Sequence, residues 1–328
     1  MQSELTYTVE KYKSFTFLTI KNGNLEVVFS TLGASIYSIK YCDELMTLTP
    51  SNKDEFFHEN IYHGKTIGRI CNRFKGNIVT IDGDSYILDN NEGENTLHGG
   101  HNGLSTKKYS YKIKKNKSSI RVTFSYLDKE SCLGFPGDLL TKIVYTVNKN
   151  SLKISFKATS NKLTMCSLTN HTYYSLGANS LDELSLKIKA SKYLHPNPLD
   201  LLPLEVRDVD RVMNFNKFKK ITKYINDLYL INSKTQGYDH YFYFDDVNSF
   251  KSQIILKSSA YQLYIKTDFP GVQIYTDNYE TKEVFNQSTM KIHRGIAIEP
   301  SASQAELHYL DKDEIYNHFI TLKFKKVN

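Results

Sequence analysis

The sequence lacks several features that define common classes of protein. Its four cysteines (Cys42, Cys71, Cys132 and Cys166) are far apart and include no C-x-x-C pair, which argues against a zinc ribbon or a thioredoxin-type site. No segment approaches the roughly 18 uninterrupted apolar residues of a membrane span. The first residues lack the basic and apolar regions of a signal peptide. We therefore expect a reduced, cytoplasmic protein with no membrane partner.

The sequence also lacks a block of Lys and Arg, although its formal net charge is +7. Lysine runs such as 107–108, 112–117 and 217–220 alternate with Tyr, Ile and Asn. This pattern is typical of solvated strand faces and loops, and a nucleic-acid surface is the alternative. We therefore expect no nucleic-acid partner.

Amphipathic helices are scarce, and residues 222–231 are the best short candidate. Strand patterns dominate instead. Residues 15–20 and 25–29 flank Asn22-Gly23, a pair that favours a type I′ hairpin turn. Two further hairpins follow the same pattern, pairing residues 78–81 with 85–88 and 140–146 with 152–156.

Further strands are predicted in the second half of the chain, at residues 184–190, 253–257, 262–266 and 319–324. No repeat of fixed period and no low-complexity linker marks a domain boundary. The sequence therefore predicts an all-β protein, a large antiparallel β-sandwich that forms one domain over residues 1–328.

One polar stretch, residues 167–177, contains an imidazole among Thr, Asn and Tyr. Because a strand alternates its faces, His171 and Tyr173 share one side. A core histidine is the usual explanation of such a stretch on its own. Several other polar groups in similar positions favour a functional site.

Three of these groups come from two glycine-containing loops. Asn72 and Arg73 lie between Gly68 and Gly76, and the guanidinium offers a fork of donors suited to vicinal hydroxyls or a carboxylate. A surface ion pair is the alternative for the arginine. His98 precedes Gly99-Gly100, which lets the backbone turn sharply and leaves the ring accessible.

The remaining groups are in predicted strands. Asp239 and His240 are adjacent and cannot both enter one cleft, whereas Gln273 and Tyr275 share a face. Glu299 stands on a largely apolar strand, where an unpaired carboxylate is costly, so it needs partners or a cleft. A strand-end salt bridge is the alternative. The whole inventory suits a polyhydroxylated ligand and supplies a candidate acid (His) and base (Glu) for proton transfer.

Seven segments together resemble the aldose 1-epimerase (galactose mutarotase) family: GRICNRFKGN, NTLHGGHNGL, GFPGDL, LTNHTYYSLGA, GYDHYF, GVQIYTDN and GIAIEP. They occur in the family's order and extend from about residue 68 to residue 300. The resemblance implies a β-supersandwich with an open sugar cleft and no metal or organic cofactor. It also implies an isomerase that acts on free aldohexoses such as galactose or glucose, as a monomer or a homodimer.

The resemblance further implies a role for each site residue. Glu299 would be the general base at the anomeric hydroxyl and His171 the general acid at the ring oxygen. A carboxylate near His171 would raise the pKa of the imidazole and favour the acid form. The sugar hydroxyls and ring oxygen would be held by the remaining residues, namely Asn72, Arg73, His98, Asp239 and Gln273.

The sequence departs from the family pattern after Glu299, where Ser301-Ala-Ser-Gln-Ala-Glu306 replaces the usual Gln and Pro-Asp-Ala segment, and it has no Trp. Three alternatives therefore stay open. A sugar-phosphate epimerase would need further cations near the phosphate. A non-catalytic sugar-binding protein would not need the Glu/His pair. A metal enzyme would need better ligand spacing than His98-x-x-His101 in a glycine loop offers.

Overall fold

The computed structural model describes residues 5–58, 62–130, 134–227, 230, 234–249, 251–282, 284–285 and 290–327. Cys132 lies outside these ranges. The described residues form β-strands connected by loops of varied length and by a few 3₁₀ turns. In chain order, the strands are β1 (Leu5–Tyr12), β2 (Phe15–Asn22), β3 (Leu25–Ser30), β4 (Ser35–Tyr41), β5 (Glu44–Leu45), β6 (Thr66–Ile67), β7 (Arg73–Phe74), β8 (Ile78–Ile81), β9 (Asp84–Ile87), β10 (Thr96–Leu97), β11 (Ser110–Lys115), β12 (Ile120–Asp128), β13 (Leu139–Val147), β14 (Ser151–Ser160), β15 (Thr164–Met165), β16 (Thr169–Asn170), β17 (Tyr173–Tyr174), β18 (Ser185–Ile188), β19 (Lys192–Pro196), β20 (Pro203–Asp208), β21 (Lys219–Lys220), β22 (Asp239–Tyr243), β23 (Ile254–Lys257), β24 (Tyr261–Thr267), β25 (Gly271–Tyr275), β26 (Ile296–Ser301), β27 (Tyr309–Leu310) and β28 (Tyr316–Lys326).

Three large antiparallel sheets organise the strands. The first contains β1 to β5 in sequential order, and the second has six strands in the order β17-β26-β25-β22-β19-β20. The third has nine strands in the order β11-β12-β13-β14-β28-β24-β23-β18-β21. Apolar side chains from all three sheets form one continuous buried cluster. The predicted all-β, antiparallel sandwich is thus confirmed.

The predicted hairpins are present, with one change in turn chemistry. Asp82 and Gly83 both have positive φ and connect β8 to β9, as a type I′ turn requires. In the first hairpin Asn22 pairs with Leu25, so the turn is Gly23-Asn24 and only Gly23 has a positive φ. The type I′ turn expected at Asn22-Gly23 is therefore wrong, although the two strands pair as predicted.

The helix predicted at residues 222–231 is not confirmed. The structure has a 3₁₀ turn at Ile221–Tyr224, and residues 228, 229 and 231 are outside the described ranges. Further 3₁₀ turns occur at Glu55–Phe57, Leu104–Thr106 and Leu181–Glu183. None of the helices within the described part of the chain has the length and apolar character needed to cross a membrane. The single domain over residues 1–328 stays a prediction.

Candidate active site

A cleft of about 250 Å³ opens at one face of the six-stranded sheet. All seven residues that the sequence identifies line it, namely Asn72, Arg73, His98, His171, Asp239, Gln273 and Glu299. Nine further residues complete the lining: Tyr62, His63, Glu92, Leu97, Tyr173, Tyr275, Asp277, Tyr279 and Thr281. The fold therefore brings together groups that are more than 200 positions apart in the chain.

One wall of the cleft is the sheet itself. Gln273 on β25 is paired directly with Glu299 on β26, and Asp239 on β22 with Tyr275 on β25. Residues that are paired directly on neighbouring strands have their side chains on the same side of the sheet, and so do residues two positions apart along one strand. These residues therefore share one face. His240 points to the opposite side and is buried there, as the alternation predicts.

The other wall is a pair of loops joined by the short strands β7 and β10. Asn72 and His98 both adopt positive φ, and the amide of His98 donates to the carbonyl of Asn72 over 3.1 Å. In return, the amide of Asn72 donates to Nδ1 of His98 over 3.2 Å. Nδ1 is thus an acceptor, which places the proton of a neutral imidazole on Nε2. The loop also requires glycine at position 99, because a Cβ there would lie 2.4 Å from the carbonyl oxygen of Gly68.

His171 lies between β16 and β17 and is fixed by its backbone. Its amide donates to the carbonyl of Lys65 over 3.0 Å, and its carbonyl accepts from the amide of Gly64 over 2.8 Å. The ring stacks on Tyr173, with 5.0 Å between centroids. Its Nε2 is 3.4 Å from Oε1 of Glu299, and both side chains are almost completely buried. The two groups are therefore held close enough to exchange a proton, directly or through a bound hydroxyl.

The electrostatics of this pair differ from the expectation based on a nearby carboxylate. Burial lowers the pKa of His171 to about 4, and the raising effect of Asp239 is smaller. Burial also raises the pKa of Glu299 well above its ordinary value, followed by the charge of Asp239. The expected increase in the His171 pKa is therefore wrong. When the pair holds one proton, that proton favours the carboxyl group of Glu299. The reason is that burial disfavours both the carboxylate of Glu299 and the imidazolium of His171.

Arg73 lies at the centre of a charged network. It donates two hydrogen bonds to Glu92, from Nε over 2.8 Å and from Nη2 over 3.0 Å, and one from Nη1 to Asp239 over 3.1 Å. Gln273 donates to the other oxygen of Asp239 over 2.6 Å. The two carboxylates raise the pKa of Arg73 although burial opposes them. The arginine does form ion pairs, as the alternative proposed, but its side chain is only 11 % exposed and lines the cleft.

The segment that departs from the family pattern contacts this network. The side-chain oxygen of Gln304 accepts from the amide of Arg73 over 3.2 Å. The hydroxyls of Ser303 and Tyr243 are 2.8 Å apart. The unusual segment therefore supports the loop that carries Arg73.

Several buried polar atoms at the cleft have no hydrogen-bond partner among the described residues. They include the side-chain nitrogen of Asn72, Oε1 of Gln273, Oε2 of Glu299 and Nδ1 of His171. Buried polar groups are normally paired, because leaving one unpaired costs about 1–3 kcal/mol. A donor and several acceptors at one place suit a ligand with many hydroxyl groups.

Sequence reasoning missed other residues of the cleft. His63 is buried, stacks on Tyr173 at 4.0 Å between centroids, and has no hydrogen-bond partner within the described structure at either ring nitrogen. Asp277 is clamped by Arg294 through contacts of 2.6 and 2.9 Å. Glu92 holds Arg73. The positions of Glu92 and His63 depend on loop folding, so no pattern in the sequence marks them.

The cleft does not gather ligands in the manner of a metal centre. His98 and His171 pack edge to face, with 5.2 Å between ring centroids. The residues covered by the structure contain no group of three or more His, Cys, Asp or Glu side chains positioned to hold an ion. The geometry instead suits hydrogen bonding and proton transfer.

Comparison with known proteins gives consistent matches. A family model described as aldose 1-epimerase matches residues 16–323. Human galactose mutarotase is 27% identical over 308 residues, which cover 89% of this chain and 85% of the human protein. Pig galactose mutarotase is 26% identical over 286 residues, covering 83% and 78%.

Solved structures show the same fold. Galactose 1-epimerase from Lactobacillus acidophilus NCFM superposes with a TM-score of 0.87 at 23% identity, covering 99% of this chain and 100% of that one. An aldose epimerase homologue from C. elegans superposes with a TM-score of 0.83 at 25% identity, covering 96% and 100%. The three-dimensional likeness thus extends over nearly the whole chain.

Proposed function

This chain belongs to the aldose 1-epimerase family and is an isomerase; from that premise, we propose that it interconverts the α and β anomers of free aldohexoses such as galactose or glucose. The observation that carries the proposal is the Glu299–His171 pair, whose Oε1 and Nε2 atoms lie 3.4 Å apart in a cleft lined by groups suited to hydroxyls. A protein that only binds sugar has no need of such a pair. The relatives named galactose mutarotase support the same substrate class.

In the proposed reaction, Glu299 takes the proton of the anomeric hydroxyl O1. The C1–O5 bond then breaks as His171 gives a proton to O5, which leaves the open-chain aldehyde. Rotation about C1–C2 presents the other face of the carbonyl, and the reverse transfers close the ring as the other anomer. Each proton returns to the group that supplied it, so the enzyme ends unchanged.

This assignment requires the arrangement with an ionised Glu299 and a protonated His171. Burial favours the opposite arrangement, with the proton on Glu299. The reactive arrangement is therefore a minority form of the singly protonated pair. Its population scales the rate without changing which groups transfer the protons.

The remaining site residues would orient the sugar. The Nε2–H of His98 would donate near the ring oxygen. Asn72 and Gln273 present a donor and an acceptor without protein partners, and Asp239 and Arg73 would hold hydroxyls on the sheet side. A monomer and a homodimer are both compatible with this proposal.

The charge of the cleft favours a neutral sugar over a sugar phosphate. Among the described lining residues Arg73 is the one Lys or Arg, and it is already paired with Glu92 and Asp239. Another nearby cation, Arg294, is likewise paired, with Asp277. A phosphate would therefore meet no uncommitted cation, and we place the sugar-phosphate epimerase second.

Polarimetry of freshly dissolved α-galactose, α-glucose and glucose 6-phosphate tests the proposal. We expect at least one free aldohexose to equilibrate faster with the protein than in buffer, and glucose 6-phosphate to respond least. If several α-aldohexoses equilibrate at the buffer rate, the protein is a sugar binder. If glucose 6-phosphate is the best substrate, the second candidate replaces the first.

Substitution of Asp239 by Asn tests the binding role of the charged network. In this proposal Asp239 would hold sugar hydroxyls that persist through ring opening, so its contribution should be similar in the ground and transition states. We expect Asp239→Asn to raise KM by about 10- to 100-fold, the value of one charged hydrogen bond, with a much smaller change in kcat. Asp208→Asn, an exposed carboxyl on β20 of the same sheet, is the control and should leave both constants unchanged. A loss confined to kcat would instead assign Asp239 to the transition state.

A further inference from the structure

The solvent-facing side of the nine-stranded sheet is strongly basic. Strand alternation and register place twelve cationic side chains on this face: Lys112, Lys114, Arg121, Lys142, Lys153, Lys157, Lys187, Lys220, Lys257, Lys266, Lys323 and Lys325. The one carboxylate in these nine strands, Asp128, points inward and is buried. The chain as a whole has a net charge of only +7, so the rest of it is net acidic. The fold has therefore separated charge that looks dispersed in the sequence.

Like charges meet directly on this basic face. Lys142 is paired with Lys157 across β13 and β14, and Lys114 with Arg121 across β11 and β12. Such pairs destabilise a sheet. Lysines elsewhere in the described structure do find carboxylates, as Lys129 does with Asp138 and Lys162 with Glu130. Leaving Lys266 aside, no cation of the basic face has an ion-pair partner within the described residues. A sheet face that keeps this repulsion is suited to an anionic partner.

Part of the basic face is concave. A groove of about 890 Å³ crosses β18, β23, β24 and β28 and is lined by six lysines and no Asp or Glu among the described residues. The six are Lys187, Lys189, Lys251, Lys266, Lys323 and Lys325. A groove lined by charge of one sign concentrates the potential and attracts an oppositely charged ligand. None of these lysines lines the sugar cleft.

The chemistry of the basic face suits a phosphodiester chain. Between the cations stand hydroxyl side chains such as Thr123, Thr146, Ser155 and Thr321, and Lys with Ser or Thr is typical of contacts to phosphate. The basic face has one arginine, Arg121, for reading base edges. The ring of Phe319 is covered by Lys153, whose Nζ lies 4.7 Å from the ring centroid, so this ring is not open for base stacking. Nine strands span roughly 38 Å, the length of about 11 base pairs. We propose that this face binds nucleic acid through its phosphate backbone without reading sequence.

Fluorescence anisotropy with a labelled 30-nucleotide RNA and a 20-base-pair DNA duplex tests this proposal and distinguishes the two sources of phosphodiester. If six phosphates are neutralised, each doubling of salt concentration should weaken binding by about 40-fold for the duplex and by about 18-fold for the single-stranded RNA. The Lys323→Glu/Lys325→Glu variant should bind at least tenfold more weakly at low salt and lower the logarithmic salt slope by about 2. The matched control is Lys11→Glu/Lys192→Glu, which changes exposed lysines on β1 and β19 and should bind normally.

Lys142→Glu separates binding from folding. It replaces a repulsive cross-strand pair with an attractive one opposite Lys157, so Tm should not fall while nucleic-acid affinity does. Mutarotation should be unchanged in every variant. The proposal is overturned if neither nucleic acid binds in 50 mM salt, or if the control pair weakens binding as much as the groove pair. It is also overturned if a sulfated polysaccharide or phosphatidylserine vesicles bind and nucleic acid does not. The first outcome would restore the prediction of merely solvated strand faces.

Discussion

Glu299→Gln is expected to lower kcat for mutarotation by ~10²–10⁴-fold, the usual contribution of a positioned general base. The amide keeps the size of the carboxyl group and most of its hydrogen bonding, so the sugar should still bind with a similar KM. Removing the basic oxygen leaves the O1 proton without an acceptor. Glu306→Gln makes the same chemical change at an exposed position seven residues later and should have no effect.

His171→Asn should cause a loss of the same size, with His101→Asn in the exposed glycine loop as its control. Because both transfers belong to one ring-opening event, the double variant should be little slower than the slower single variant. Near-normal kcat in Glu299→Gln would remove this residue from the mechanism. Fully multiplicative losses would show that the two residues act independently.

The same pair determines the pH dependence of the rate. Catalysis needs one proton on the pair, so the rate should fall where the pair holds two protons or none. With the pKa of His171 lowered to about 4 and that of Glu299 raised, the acid limb reports the protonation of His171. The alkaline limb reports the deprotonation of Glu299. In Glu299→Gln the remaining member of the pair is His171, and its protonated form is the general acid, so residual activity should lose the acid limb and fall as the pH rises. Loss of the alkaline limb would instead show that His171 does not act as the acid.

The largest effect on stability is expected at Arg69, which is fully buried three residues before Asn72. Its Nε donates to Asp128 over 2.7 Å, and Nη2 donates to the carbonyl of the same residue over 2.9 Å. Arg69→Met leaves a buried carboxylate without its counter-ion. We expect a loss of about 3–5 kcal/mol in the free energy of unfolding, measured by urea titration.

Two further variants separate charge from packing. Arg69→Met/Asp128→Leu removes both charges and should recover much of the loss, because burying an ion pair brings little net stabilisation. Arg207→Met breaks an exposed pair with Glu205 and should change stability little. If the double variant is as unstable as Arg69→Met, the hydrogen bonds of Arg69 to Pro136 and Thr164 are the dominant contribution instead.

Local patterns predicted the elements whose partners are adjacent in the chain. The hairpin of β13 and β14 follows from alternation and a short turn. The placement of β28 between β14 and β24 does not, because it depends on how three sheets bury a common core. Faces were also predictable, since alternation alone puts His171 with Tyr173 and Gln273 with Tyr275.

Interactions between distant loops were not predictable. Arg73 was recognised as a donor, yet its bidentate partner Glu92 carries no mark in the sequence. The pKa of His171 was misjudged for a related reason. The family resemblance implies a carboxylate near His171, but the cost of desolvation depends on burial, which only the packed structure reveals.

The two walls of the cleft are built from different kinds of structure. Glu299 and Gln273 stand on paired strands of a sheet, whereas Asn72, Arg73 and His98 are carried by loops with left-handed backbone positions and two-residue strands. Loops tolerate changes in length and sequence far better than the interior strands of a sheet. The anomeric chemistry is therefore anchored in the scaffold, while much of the sugar recognition is modular. A new substrate range can evolve by exchange of the loops around residues 72 and 98, with the proton-transfer machinery inherited intact.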